Sequence, residues 1–78
     1  MSESSISRCV RQALEEYFQH LDGQPPHEVH QMVLDAVEKP MLEVVMRHAR
    51  GNQTHAAQIL GMSRNTLHKR LVHFGLDQ

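Results

Sequence analysis

The chain has no apolar run of about 18 residues that could cross a bilayer, so a membrane-spanning role is excluded. Its opening, "MSESSIS", lacks the basic start and apolar core of a secretory signal, which points to a cytoplasmic protein. Cysteine occurs once, at Cys9. A single thiol cannot staple a fold and has no C-x-x-C partner for redox or metal work, so Cys9 is expected to be a small packing residue. No alternating run marks a β-strand, and there is no internal repeat. Glycine-rich phosphate loops, nucleophile elbows and paired carboxylates are all missing, which removes an enzymatic reading and any cofactor.

What is present is a short, charge-polarised helical chain. Its 78 residues allow one small domain, which buries only about 60% of its unfolded surface and so gains from a partner subunit. The formal net charge is -1, but it is unevenly spread. Residues 1 to 46 hold three basic side chains against eight acidic ones, a net of -5. Residues 47 to 78 hold Arg47, Arg50, Arg64, Lys69 and Arg70 against Asp77 alone, a net of +4. Such asymmetry turns the C-terminal third toward an anionic partner.

In residues 6 to 21, Ile6, Val10, Ala13, Leu14, Tyr17, Phe18 and Leu21 step by three and four, the mark of an amphipathic helix, with Ser5 as its N-cap. "DGQPP" breaks that pattern. A second helix is expected from His27 to about Arg50, with a kink near Pro40, which has no N-H to donate to residue 36. Gly51 and Asn52 stop it and cap a third helix, Gln53 to Leu60. Gly61 and Met62 turn the chain, and Ser63 caps a fourth helix from Arg64 to about His73. The expected class is all-α with four helices. The expected segments are a disordered N-terminus at 1-5, a pair of long helices at 6-50 and a pair of short helices at 51-78.

Two short helices joined by a glycine-containing turn form a helix-turn-helix, here "NQTHAAQILGMSRNTLHKRL". With Leu67 and Leu71 inward, Arg64, Asn65, His68 and Lys69 share the outward side of the last helix. Arginine at the start of such a helix suits bidentate contact with guanine O6 and N7 in the major groove. It also opposes the helix macrodipole, a cost that an anionic partner would explain. Lys69 and Arg70 are expected on phosphates. Asn52 and Ser63 serve equally as helix caps or as phosphate-facing groups, and Thr54 and Thr66 are evenly balanced between contact and surface.

"GNQTHAAQILGMSRNTLHKRL" resembles the C-terminal signature of the Fis family, the factor for inversion stimulation, at its Gly-Asn-Gln-Thr, Ala-Ala, Leu-Gly, Arg-x-Thr-Leu and basic-basic-Leu positions. The likeness continues back through "VEKPMLEVVM" and "VRQALEEYFQHLDGQ", covering roughly residues 8 to 76. The resemblance implies a homodimer with an intertwined core built from the first two helices, so that residues 6-50 are dimerisation helices and residues 51-78 the helix-turn-helix DNA-binding unit. It also implies a nucleoid-associated protein that binds and bends double-stranded DNA and regulates transcription, with RNA polymerase as a further partner. It assigns DNA contact to Asn52, Thr54, Arg64, Thr66, Lys69 and Arg70, with Arg64 the main base reader. His55, Ser63, Asn65 and His68 complete the expected interface. His55 and His68 stand where the family often has arginine, and Ser63 where it often has asparagine. The polar residues before the first helix resemble a short form without the invertase-contacting hairpin arm of longer members.

Two other readings stand beside this one. The same C-terminal signature ends enhancer-binding regulators of the nitrogen-regulatory type, so an isolated DNA-binding domain of that kind is the nearest competitor. A helical interaction dimer without DNA binding is the other. "HEVH" at 27 to 30 is one residue short of the zincin H-E-x-x-H and lacks a third ligand nearby, so no metal site is expected. His48, His55, His68 and His73 all fall in the basic third. As a residue type, histidine gains charge as pH falls from about 8 to 6, which would tighten DNA binding through His55 and His68. A dissociation constant that does not move with pH at fixed salt would refute this.

Overall fold

A computed structural model describes residues 3 to 78 as four α-helices, with no strand among the described residues. They are α1 (Ser5–Gln19), α2 (Val29–His48), α3 (Gln53–Leu60) and α4 (Arg64–His73). None is long and apolar enough to cross a membrane.

The start of α1 lies one residue earlier than the periodicity suggests. Ser4, not Ser5, is the N-cap: its backbone is extended (φ -65°, ψ 158°) and its Oγ accepts from the Ser7 N–H at 3.1 Å. Residues 1 and 2 of the segment expected to be disordered lie outside the described residues. Its remainder is ordered by this cap and by Glu3, which accepts from Arg11 Nε at 2.9 Å. The helix ends at Gln19 rather than Leu21, because Asp22 (φ 50°) and Gly23 (φ 82°) carry the chain through the left-handed region just beyond. Glu28 also has positive φ (49°), which delays the start of α2 from His27 to Val29. His27 therefore stays in the loop while His30 is helical, so the two histidines of "HEVH" do not share a helical face.

Pro40 does not divide α2, which is one helix of 20 residues with the proline inside it. It stops at His48, where Arg50 (φ 54°) and Gly51 (φ 81°) reverse the chain and the Gly51 N–H reaches the Met46 carbonyl at 3.0 Å.

The chain divides into two compact units, residues 1–33 and 34–78, with the boundary inside α2. The C-terminal unit is thus larger than the helix-turn-helix, since it takes in α2 from Leu34 onward. Its core is Leu42, Ala49, Ala56, Ala57, Leu67 and Leu71, with Val45, Met46, Leu60, Met62, Phe74 and Leu76 packed around them. Leu42, Leu67 and Leu71 are fully buried. The two alanines at the centre of α3 leave room for α4 to approach closely.

The N-terminal unit has a different character, for no residue of α1 is buried. Ile6 is 70% and Phe18 51% exposed, and these two line an open apolar groove with Val10 and Leu14, flanked by Arg11 and Glu15. Cys9 is exposed too, contrary to its expected place in a core. Along α2, Met32, Leu34, Val37, Met41 and Val44 also present apolar surface to solvent.

Candidate nucleic-acid interface

The interface is built on two capped helix starts. Asn52, extended at φ -81° and ψ 104°, accepts through its Oδ1 from the His55 N–H at 3.0 Å. Ser63 does the same for α4, accepting from the Thr66 N–H at 3.1 Å while its hydroxyl donates to Thr66 Oγ1 at 2.9 Å. Each cap satisfies one of the free amides at its helix start and leaves others pointing outward, where an anion is favoured. The side chains of Asn52 and Ser63 are thus engaged as caps, and Thr66 is tied into the second of them.

Between the helices the chain turns at Gly61. Its φ of 76° is left-handed, and its N–H reaches the carbonyls of Ala57 and Gln58, while the Met62 N–H also reaches Ala57 at 3.1 Å. A Cβ at Gly61 would meet nothing within 4 Å, so glycine is required here by backbone conformation alone.

Burial of Leu67 and Leu71 fixes the rotation of α4. Arg64, Asn65, Thr66, His68 and Lys69 are all exposed, with Asn65 and Lys69 turned most directly away from the core. Thr54 and His55 are exposed in the first turn of α3. Among the described residues Arg64 has no carboxylate partner, and the first turn of α4 contains no acidic residue.

Arg70 is placed differently from the other expected contacts. It is half-buried, its guanidinium donates to Glu38 Oε1 on α2, and it lies over the Phe74 ring at 5.4 Å from the centroid. The structure thus brings Asn52, Thr54, His55, Ser63, Arg64, Asn65, Thr66, His68 and Lys69 to exposed positions within the helix-turn-helix and turns Arg70 toward α2. The sequence motif does not single out Arg47 and Arg50, yet both are exposed in the chain just before Asn52. Their only sequence signal is the charge balance of this third of the chain. Among the described residues no group of three His, Cys, Asp or Glu side chains is arranged to hold a metal ion.

Residues 33–74 match a family described as "Bacterial regulatory protein, Fis family", and residues 2–26 match "DNA-binding protein Fis N-terminal domain". A "Putative Fis-like DNA-binding protein" of Ralstonia nicotianae is 50% identical over 76 residues, covering 97% of this chain and 99% of its own. A protein of the same description from Neisseria meningitidis is 52% identical over 71 residues, covering 91% of this chain and 90% of its own. "DNA-binding protein Fis" of Glaesserella parasuis is 51% identical over 67 residues, or 86% of this chain and 68% of that one.

Proposed function

The chain belongs to the Fis family, and on that premise we propose that it is a homodimeric, nucleoid-associated protein of the bacterial cytoplasm that binds and bends double-stranded DNA and so regulates transcription. The observation that carries this reading is the exposed surface of α4, where Arg64, with no carboxylate partner among the described residues, accompanies Asn65, His68 and Lys69 on a helix whose rotation is locked by Leu67 and Leu71. A cation at the start of a helix is electrostatically misplaced unless something anionic meets it. Arg64 reads a base edge, Lys69 meets a phosphate, and the capped starts of α3 and α4 present amides to the backbone of the duplex. Thr54, His55, Asn65, Thr66 and His68 complete the contact surface. Members of the family are DNA-binding regulators rather than enzymes.

Dimerisation is supported by the apolar surface that one chain leaves open. In the N-terminal unit the groove of Ile6, Val10, Leu14 and Phe18 is the kind of surface that a second copy covers, and α2 exposes apolar side chains of its own at Met32, Leu34 and Val37. Such a dimer presents two α4 helices. Successive major grooves on one side of the duplex are about 34 Å apart, so recognition helices held closer than this bend the DNA, and deformability of the site then contributes to its selection. RNA polymerase is part of the same proposal as a further partner. The match to the Fis N-terminal domain, in addition to the C-terminal family, supports a Fis-like protein over the isolated domain of a nitrogen-regulatory-type regulator.

The test is a salt titration of duplex binding by fluorescence anisotropy, with gel mobility of permuted fragments for bending. With about six phosphates neutralised per dimer, log K falls against log salt with a slope of roughly -5. A slope near zero would instead make this a helical interaction protein.

A further inference from the structure

The contact between α4 and α2 in the C-terminal unit assigns a role to two residues outside the DNA-facing set. One stripe of α2 runs through Asp35, Glu38, Leu42 and Val45 to Ala49 just past its end, stepping by three and four. Leu42 and Ala49 are buried and Val45 packs against them, but toward its N-terminal end the stripe turns acidic. That acidic end receives the flank of α4. Glu38 pairs with Arg70, and one turn away along both helices Asp35 Oδ1 lies 3.8 Å from His73 Nε2. The Arg70 side chain keeps 32% and the Glu38 side chain 25% of full exposure, in contrast to the exposed Lys69 next door. The same guanidinium covers the Phe74 ring, which itself packs on the core. Arg70 therefore meets two groups of its own chain: a carboxylate and an aromatic ring that itself packs on the buried cluster.

We propose that Glu38 and Arg70 are positioning residues for DNA recognition: the pair holds α4 at its angle on α2, and Arg70 is not itself a phosphate contact. A planar guanidinium bonded to a carboxylate and lying over a ring has a defined orientation, which a lysine in its place would not supply. With the rotation of α4 fixed by its buried leucines, a change in its tilt on α2 moves Arg64 and Lys69 together, so a latch on its inner flank sets how both approach the groove. A displacement of about 1 Å at such contacts is enough to forfeit much of their strength.

The proposal rests on the DNA-binding reading above, and its experiment separates the two. In the free protein, the Arg70 Nε–H gives a resolved, slowly exchanging signal in a nitrogen-proton correlation spectrum, which disappears in Glu38→Gln. This needs no DNA. A wild-type Arg70 signal that exchanges as fast as that of an exposed arginine overturns the pairing, whatever the protein binds. For DNA, Arg70→Gln weakens binding severalfold yet leaves the salt slope unchanged, whereas Lys69→Gln flattens it by about 0.9 for each phosphate that is no longer neutralised. Glu38→Gln weakens binding too, although removing an anion from a lone electrostatic surface would strengthen it. The reversed pair Glu38→Arg with Arg70→Glu recovers, on a logarithmic scale, more than half of the affinity that Arg70→Glu alone removes. Arg70→Gln flattening the slope as Lys69→Gln does, or a reversed pair no better than Arg70→Glu, overturns the proposal. Helical circular dichroism of each variant checks that the fold is retained. Failure of the wild type to bind duplex would sink the DNA-binding reading while leaving the spectroscopic result to decide the pairing.

Discussion

Replacing Arg64 by alanine separates recognition from folding because the two respond with opposite signs. Arg64 is the first residue of α4, follows the Ser63 cap, is exposed, and has no carboxylate partner among the described residues. Its removal takes away no packing. A cation in the first helical turn faces the positive end of the macrodipole, an unfavourable placement of about 0.3 to 1 kcal/mol, and alanine is the better helix former. The Arg64→Ala protein is therefore expected to melt at the same temperature or slightly higher. Loss of a bidentate guanine contact costs about 1 to 3 kcal/mol per recognition helix, or about 5- to 150-fold in affinity. The assay pairs a circular dichroism melt with anisotropy titrations at fixed salt on a set of duplexes mutated one position at a time. Discrimination at one base of each half-site should vanish, with preferences elsewhere retained. Unchanged affinity and site preference would show that Arg64 does not read a base. A drop in melting temperature alongside the affinity loss would show that the side chain supports the fold, against the reasoning from its position.

Gly61→Ala places a Cβ in open space but at φ 76°, so it should destabilise the domain by about 1 kcal/mol through backbone conformation alone, measured by urea unfolding. Leu71→Ala empties a fully buried position and should cost about 2 to 5 kcal/mol in the same experiment. Phe18→Asp changes a half-exposed residue on the apolar groove of α1, and should leave each chain helical while raising the dimer dissociation constant at least about tenfold in analytical ultracentrifugation. Wild-type sedimentation as a monomer across the micromolar range would remove the basis for that last expectation.

Much of the helix-turn-helix is legible in the chain because its signals are local. Asn52 and Ser63 are short acceptors placed three residues before the amides they cap, a relation that needs no other part of the molecule. Gly61 marks the turn for an equally local reason. The periodicity of Leu67 and Leu71 already orients α4, so the exposure of Asn65, His68 and Lys69 follows from counting residues; Arg64, three positions before Leu67, falls by the same count on the leucine side, and its exposure does not. The ends of α1 and α2 are less legible. Ser4 and Ser5 are chemically equivalent caps, and the left-handed Asp22 and Glu28 carry no glycine to announce them.

The sequence by itself determined four helices, their order, two of their caps and the basic third of the chain, because periodicity, capping and charge are properties of neighbouring residues. Tertiary structure alone decided what each cation meets. Lys69 and Arg70 are adjacent and alike in charge, yet one is exposed and the other is held by a carboxylate 32 positions away in the chain. Packing of the Leu42 stripe of α2 on the Leu67 and Leu71 side of α4 creates that difference. It brings Glu38 beside one flank of the helix and leaves the opposite side open, a consequence of long-range burial that no local pattern encodes.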